Sequence, residues 1–538
     1  MMVTAVLFTL AAAFPVTIRV DAGRPQGELA PVWRFFGGDE PNYATMKDGR
    51  RLLAALGELK PGSVYFRTHN LLNTGDGTPA LKWGSTNAYT EDAQGRPVYD
   101  WTVVDRIFDT YLERGVRPYV QVGFMPKALS RKPEPYQHEW RPGLPYDDIY
   151  TGWAHPPRDY AKWEELVFQW VRHCLERSGR EEVSTWYWET WNEANIGYWK
   201  GTFEEFLELH DRAVAGVRRA LPEARVGGPD MAGSDPKFLR PFLEHVLGKG
   251  LPLDFVAFHA KGSPTYVDGH VRMGIAAQLA TIDQGFRTIA SFPELKRTPI
   301  VIGESDPEGC AACQGPPLAY RNGTMYSSYT AAVFARKHDL ARRHGVNLEG
   351  ALTWAFEFED QPYFAGFRAL ATNGIPLPVL NVFRMFSKMR GQRVPARSSA
   401  EVPLDTVLAD GVRGAPDVAA FASVEPNRLA VMAWHYHDDD VAGPEAAVDL
   451  SVAGLPATAR QATLTHYRID EKRSNAYAAW KRMGSPIAPT RPQYDELEAA
   501  SRLAVLEETR SASVTDGTVA LAFGLPRQAV SLVTIEWE

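Results

Sequence analysis

Thr185-Trp186-Tyr187-Trp188-Glu189-Thr190-Trp191-Asn192-Glu193-Ala194-Asn195 is an aromatic run that stops in carboxylates and carboxamides. Bulky rings flanked by Thr suit a short buried strand, and the polar tail marks where that strand ends. The same pattern recurs on both sides. Upstream lie Val32-Trp33-Arg34-Phe35-Phe36, Ser63-Val64-Tyr65-Phe66-Arg67 and Pro118-Tyr119-Val120-Gln121-Val122. Downstream lie Ala224-Arg225-Val226-Gly227, Phe255-Val256-Ala257-Phe258, Pro299-Ile300-Val301-Ile302 and Gly350-Ala351-Leu352-Thr353-Trp354. Between them, Val103 to Leu112, Trp163 to Leu175 and Phe203 to Leu221 repeat apolar residues three and four apart, as helices do. Near-continuous apolar strands alternating with helices imply a parallel sheet covered by helices. Eight such units predict the α/β class and a (β/α)8 TIM barrel with long loops. A doubly wound open sheet is the alternative. It is disfavoured because no glycine-rich phosphate turn follows the first strand.

The pattern changes after a last helix at Val379 to Phe386. From about residue 394 the runs are short and alternating, as in Arg428 to Tyr436, Val448 to Val452 and Ala529 to Trp537. These predict a C-terminal β-sandwich domain over 394–538, with a helical, Pro-containing insertion from Asn475 to Leu506. The barrel is placed at 16–393, and its amino-terminal strand is a candidate to join the sandwich. Met1 to Phe14 is an apolar run ending in Ala11-Ala12-Ala13, so 1–15 resembles a short secretory signal segment without a basic start. That reading favours a periplasmic or secreted protein over a cytoplasmic one. The competing reading is an ordinary buried first strand.

The chain has 538 residues, 45% hydrophobic and 23% charged, which excludes a mostly disordered or fibrous protein. The net charge is −7 and no Lys/Arg-rich run occurs, so no nucleic-acid partner is expected. No later apolar run is long enough to span a membrane. The 15 Trp and 21 Tyr are plentiful, and flat rings serve both large cores and sugar faces. Of three cysteines, Cys174 reads as a core residue, while Cys310-Ala311-Ala312-Cys313 is a lone pair suited to a local disulfide in an exported protein. One C-x-x-C cannot supply the four ligands of a structural zinc, so neither metal nor cofactor is expected.

In a parallel barrel, catalytic loops leave from the carboxyl ends of the strands. Glu193, beside Asn192, stands there after the fourth run, and Glu304 in Ile302-Gly303-Glu304-Ser305-Asp306 stands there after the seventh. Strands four and seven face each other across the mouth. Glycoside hydrolysis requires such a pair: one carboxyl protonated to release the leaving group, one ionised to attack or to activate water. Neither a G-x-S-x-G nor an H-E-x-x-H segment is present to support a serine or zinc hydrolase.

Over nearly the whole chain these features resemble glycoside hydrolase family 39, which holds β-xylosidases and α-L-iduronidases. The resemblance is carried by Val98-Tyr99-Asp100-Trp101, Asp105-Arg106, Arg117 to Pro126, Trp188 to Asn195 (with Ala194 where Pro is usual) and Asp254 to His259. Arg468-Ile469-Asp470 with Ser474 to Tyr477 resembles the family's carboxyl-terminal region, a loop reaching back over the barrel. The resemblance implies a barrel with a sandwich beside it, a retaining mechanism, Glu193 as acid/base and Glu304 as nucleophile. It also implies a pocket closed at its far end, releasing single sugars. The expected substrate is a β-1,4-xylo-oligosaccharide or aryl xyloside, with side activity on α-L-arabinosides.

His69 and His259, at the ends of strands two and six, are candidates to bind sugar hydroxyls. Trp354 is a candidate apolar platform, Glu357 and Glu359 candidate acceptors, and Phe124 a candidate wall. Arg67 is expected to be a buried partner that keeps a catalytic carboxylate ionised. Lys261, where xylosidases of the family more often carry an aromatic, resembles the iduronidase branch, and Arg368 would be a second cation for a uronate. A uronidase and a catalytically silent carbohydrate-binding protein are the alternative readings. The oligomeric state is not legible in the sequence.

Overall fold

The computed structural model describes residues 12–354 and 356–538. Most of the apolar segment read as a signal lies outside these residues. Among them, no helix is long and apolar enough to cross a membrane.

The barrel strands are β1 (Phe35–Gly38), β2 (Val64–Thr68), β3 (Val116–Gln121), β4 (Tyr187–Glu189), β5 (Arg225–Met231), β6 (Phe255–Lys261) and β7 (Pro299–Asp306). The eighth position, β8, is shared by two segments. Asn347–Ala351 pairs with β7, and Thr353–Trp354 pairs in parallel with β1 and closes the ring. All neighbouring pairs are parallel. Strands such as Val64–Thr68 are buried at every residue, as expected where helices cover one face and the barrel interior the other.

The helices follow their apolar spacing. Thr102–Glu113 buries Val104, Ile107, Phe108 and Tyr111. Phe203–Ala220 begins with a capping box, in which the Thr202 side chain accepts from the Glu205 N–H and the Glu205 carboxylate accepts from the Thr202 N–H. Inside the lower barrel, Phe35, Tyr65, Tyr119, Tyr187 and Phe255 form an aromatic floor. Ring centroids lie 5.2 Å apart for Phe35–Tyr65, 4.9 Å for Tyr65–Tyr187 and 5.3 Å for Tyr187–Phe255.

Two antiparallel sheets make the sandwich. One has four strands, in the order Ala396–Ser398, Phe14–Asp21, Ala446–Ala453 and Val519–Leu525, so the amino-terminal strand lies in the sandwich. Its pairing with Ala446–Ala453 is parallel, an exception within an otherwise antiparallel pair of sheets. The larger sheet is built on Asp417–Glu425, Arg428–Tyr436, Val530–Trp537 and Gln461–Ile469. The insertion forms helices Ala476–Arg482 and Arg491–Ala500 and reaches the barrel. The Trp480 and Tyr477 rings lie 5.1 and 5.5 Å from Phe364 in the last barrel loop.

Candidate active site

Above the aromatic floor the same strands turn ionic. Two residues further along β2, β4 and β6 from Tyr65, Tyr187 and Ala257 stand Arg67, Glu189 and His259, all fully buried. Period-two alternation in a strand puts such residues on the same inward face. Glu193 follows β4 with a left-handed backbone (φ 48°), and its N–H donates to the Asp230 carbonyl at 2.8 Å. Glu304 lies in β7, beyond a register slip at Gly303. Carboxylate oxygens of Glu193 and Glu304 and a ring nitrogen of His259 all lie within 4.8 Å of one another. The Glu193 side chain is 14% exposed and that of Glu304 6%. Both therefore belong to one narrow site.

Arg67 organises its centre. Its Nε donates to Glu189 Oε2 at 2.6 Å, its Nη2 to Asn192 Oδ1 at 2.8 Å and to Asp230, and its Nη1 to Glu304 Oε1 at 3.5 Å. A guanidinium presents its donors in a fixed fork, so one side chain can bind four acceptors from three strands and their loops. Burial alone would raise the Glu304 carboxyl, but Lys261, His259, His69 and Arg67 outweigh it and hold Glu304 well below the usual carboxylate range. Lys261 Nζ donates to Glu304 Oε2 at 2.5 Å and to Asp306 Oδ2 at 2.9 Å. Glu304 is thus ionised at neutral pH, as an attacking carboxylate must be.

His259 faces a carboxylate at each ring nitrogen: Nδ1 meets Glu193 Oε1 at 2.7 Å and Nε2 meets Asp230 Oδ2 at 2.8 Å. Burial disfavours its charged form, yet Asp230, Glu304 and Glu193 together push it up to about 10. Glu193, His259 and Glu304 are the one grouping among the described residues with the reach of a metal site. His259 meets Glu193 at hydrogen-bond distance, so the trio reads as a hydrogen-bonded acid–base cluster.

A second layer forms one wall. His69 Nδ1 meets Asp39 Oδ1 at 2.9 Å, Lys82 Nζ donates to Asp39 Oδ2 at 2.6 Å, and Trp354 Nε1 donates to the same oxygen at 3.3 Å. The Trp354 ring lies 4.3 Å from that of His69 and 5.1 Å from the Arg67 guanidinium. Phe124 packs 5.4 Å from His69 and 5.5 Å from Tyr198, whose hydroxyl meets that of Tyr146 at 3.0 Å.

The structure therefore brings Arg67, His69, Phe124, Asn192, Glu193, His259, Lys261, Glu304 and Trp354 together. Glu357 and Glu359 require correction, because their carboxylates are engaged elsewhere. Glu357 accepts from the Gly374 N–H at 2.6 Å. Glu359 accepts from the Asp48 and Gly49 N–H groups, at 2.8 Å each, in the first turn of helix Lys47–Gly57, where backbone donors lack helical partners. Arg368 is also corrected. It is fully buried, donates to the Trp354 carbonyl at 3.1 Å and pairs with Glu308 at 2.5 Å, so it braces the eighth loop behind the pocket. Lys261 is 18% exposed, and the contacts above commit its ammonium to two protein carboxylates. Cys310 and Cys313 form a disulfide in the loop after β7, and Cys174 is buried and free.

Sequence reasoning missed Asp39, Lys82, Glu189, Asp230, Asp306 and Tyr198. Asp230 carried a usable signal: it is an acidic residue near the carboxyl end of its strand, after Val226-Gly227-Gly228-Pro229, as Glu304 is in its own. Lys82 and Tyr198 carried none, because long loops fold them in.

The model for the family described as "Glycosyl hydrolases family 39" matches residues 16–519. A β-xylosidase of Geobacillus stearothermophilus is 27% identical over 496 residues, covering 89% of this chain and 87% of its own. A human α-L-iduronidase is 25% identical over 552 residues, covering 92% of this chain and 76% of its own. Among solved structures, a monomeric β-xylosidase from Caulobacter crescentus superposes with a TM-score of 0.76 at 23% identity, covering 97% of this chain and 99% of its own.

Proposed function

The chain belongs to glycosyl hydrolases family 39, and we propose that within it the protein is a retaining glycosidase that releases single xylose units from the non-reducing end of β-1,4-xylo-oligosaccharides, with side activity on α-L-arabinosides. The observation that carries the retaining mechanism is the approach of Glu193 and Glu304 oxygens to within 4.8 Å. Retaining pairs sit roughly 5–5.5 Å apart, while inverting pairs need roughly 6.5–9.5 Å to admit a water.

Glu304, held ionised by Lys261 and Arg67, attacks the anomeric carbon. The glycosidic bond breaks, and Glu193 gives its proton to the leaving oxygen. A glycosyl ester to Glu304 results. Water then attacks the same carbon, Glu193 takes the water's proton, and the ester bond to Glu304 breaks. Asn192 stands beside Glu193 with its Nδ2 lacking a partner among the described residues, so it is free to donate to a sugar hydroxyl. Phe124 and Trp354 pack on the two sides of His69 and give the site an apolar wall suited to a sugar face. The G. stearothermophilus relative supports the xyloside substrate.

A panel of nitrophenyl xylosides, arabinosides and uronides tests the substrate, and xylosides should be turned over fastest. Proton NMR of the first product tests the mechanism: an early inverted anomer would reject it. A 2-fluoro-xyloside should label the peptide containing Glu304. A uronide is the second reading, favoured by Lys261 as a partly exposed cation at the site; uronides outpacing xylosides would establish it.

A further inference from the structure

Asp230 has no sugar-facing role above, yet it holds the Glu193 backbone and lies against Gly303, the residue before Glu304. Strand β5 slips against β6 at this residue: Pro229 lies opposite Ala257 and Met231 opposite Phe258. Strand β7 slips against the other edge of β6 at Gly303, where Ile302 lies opposite Phe258 and Glu304 opposite His259. Two inserted residues thus flank β6 just before His259. Such bulges re-aim side chains beside active sites. They also fit each other. A Cβ on Gly303 would come within 1.9 Å of Asp230 Oδ1 and 3.2 Å of His259 Nε2. The bulge that presents Glu304 must be glycine because the Asp230 carboxylate fills the space where a side chain would go. Asp230 itself has φ 50°, a left-handed conformation that Asp tolerates better than most residues.

We propose that Asp230 is a positioning residue of the reaction: its carboxylate retains the proton that His259 and Glu193 share, and its backbone carbonyl holds Glu193 in place. The argument is one of hydrogen counting. His259 Nε2 donates to Asp230 Oδ2, which leaves the 2.7 Å contact between Nδ1 and Glu193 Oε1 needing one proton of its own. That proton lies on the nitrogen or on the oxygen, and in either place it holds the two groups together. If it is lost, two lone pairs face each other, with Glu304 Oε2 only 3.8 Å from Nδ1.

The charges facing the ring come from every neighbouring strand. Asp230 (β5), Glu193 (after β4) and Glu304 (β7) favour the proton. Arg67 and His69 from β2, and Lys261 further along β6, oppose it. Arg67 and Lys261 are themselves bound to carboxylates. Asp230 is fully buried, and its Oδ2 meets both the Arg67 guanidinium and the imidazole, so it acts on the ring at hydrogen-bond range with no water between. Glu193 can act as an acid only while the pair keeps this proton, so Asp230 extends the pH range of catalysis upward.

The test is Asp230→Asn, which preserves shape and leaves an amide oxygen for Arg67. The alkaline limb of kcat/KM should move to lower pH by about one unit or more, because a buried counter-charge to the proton is gone. The acidic limb should not rise. The loss should be greatest for glycosides with poor leaving groups, which depend on the acid. A residue with only a structural role would lower kcat/KM equally at every pH, so a folded variant with an unmoved alkaline limb would overturn the proposal. If the variant does not fold, nitrogen-15 NMR of histidine side chains in the unmodified enzyme decides. The ring signal removed by His259→Gln should remain that of a doubly protonated imidazole well above neutral pH; titration near 6.5 would overturn the proposal. Only the kinetic arm rests on the substrate reading. An inert xyloside panel would reject that reading and leave the NMR arm intact.

Discussion

The floor and the mouth of the barrel are built from the same strands, two residues apart, and obey opposite rules. Tyr65 is followed on its face of β2 by Arg67, and Tyr187 on β4 by Glu189. The floor holds rings in edge and stacked contact, with Phe35 and Phe255 fully buried. The mouth holds Arg67, Glu189, Asp230, His259 and Glu304 at comparable burial. The floor stabilises by removing apolar area from water. The mouth is tolerable only because each charge has partners, since an isolated buried ion is very costly. Stability is thus concentrated in one layer and chemistry in the next, and the two should fail differently when altered.

The largest effect should come from the mouth. Glu304→Gln should lower kcat by a factor on the order of 10⁵ while leaving the fold intact, checked by steady-state kinetics with activated xylosides and by circular dichroism. Glu193→Ala should lower kcat/KM roughly 10²–10⁴-fold for poor leaving groups. It should do much less harm with dinitrophenyl glycosides, and a leaving-group series would show this as a steeper dependence. The floor should respond the other way. Phe35→Ala should cost about 3–5 kcal/mol of stability in denaturant unfolding, yet leave both limbs of the pH profile where they were. A shifted limb in that variant would show that the two layers are not independent.

The smallest effect should come from the loop after β7. Removing the Cys310–Cys313 disulfide with paired Ser substitutions should cost about 2 kcal/mol or less, because the loop it closes is short. Arg321 already donates to the Cys310 and Cys313 carbonyls, at 2.6 Å each, so the loop keeps its shape and KM should barely change. Thermal melts with and without reductant would measure this.

Much of this design is readable in one dimension. Strand and helix periods, and the carboxylates that end strands four and seven, are local features, so the barrel and the Glu193/Glu304 pair could be written down from the chain. The amino-terminal strand's place in the sandwich and the two-part eighth strand depend on pairings between residues hundreds apart. Glu357 and Glu359 show the limit most clearly. They follow a barrel strand as Glu193 does, but a left-over set of helix N–H groups and a Gly374 turn bind them first.

The sequence by itself determined the periodicities, hence the barrel, and the residue types at the strand ends, hence the kind of chemistry. Only the tertiary structure decided which of those polar residues face one another. Two one-residue slips, at Asp230 and Gly303, rotate the strands on either side of His259 and bring the carboxylates to its ring. The physical reason is that a side chain's direction follows from local backbone geometry, whereas its partner, and with it its charge state, follows from the packing of distant segments.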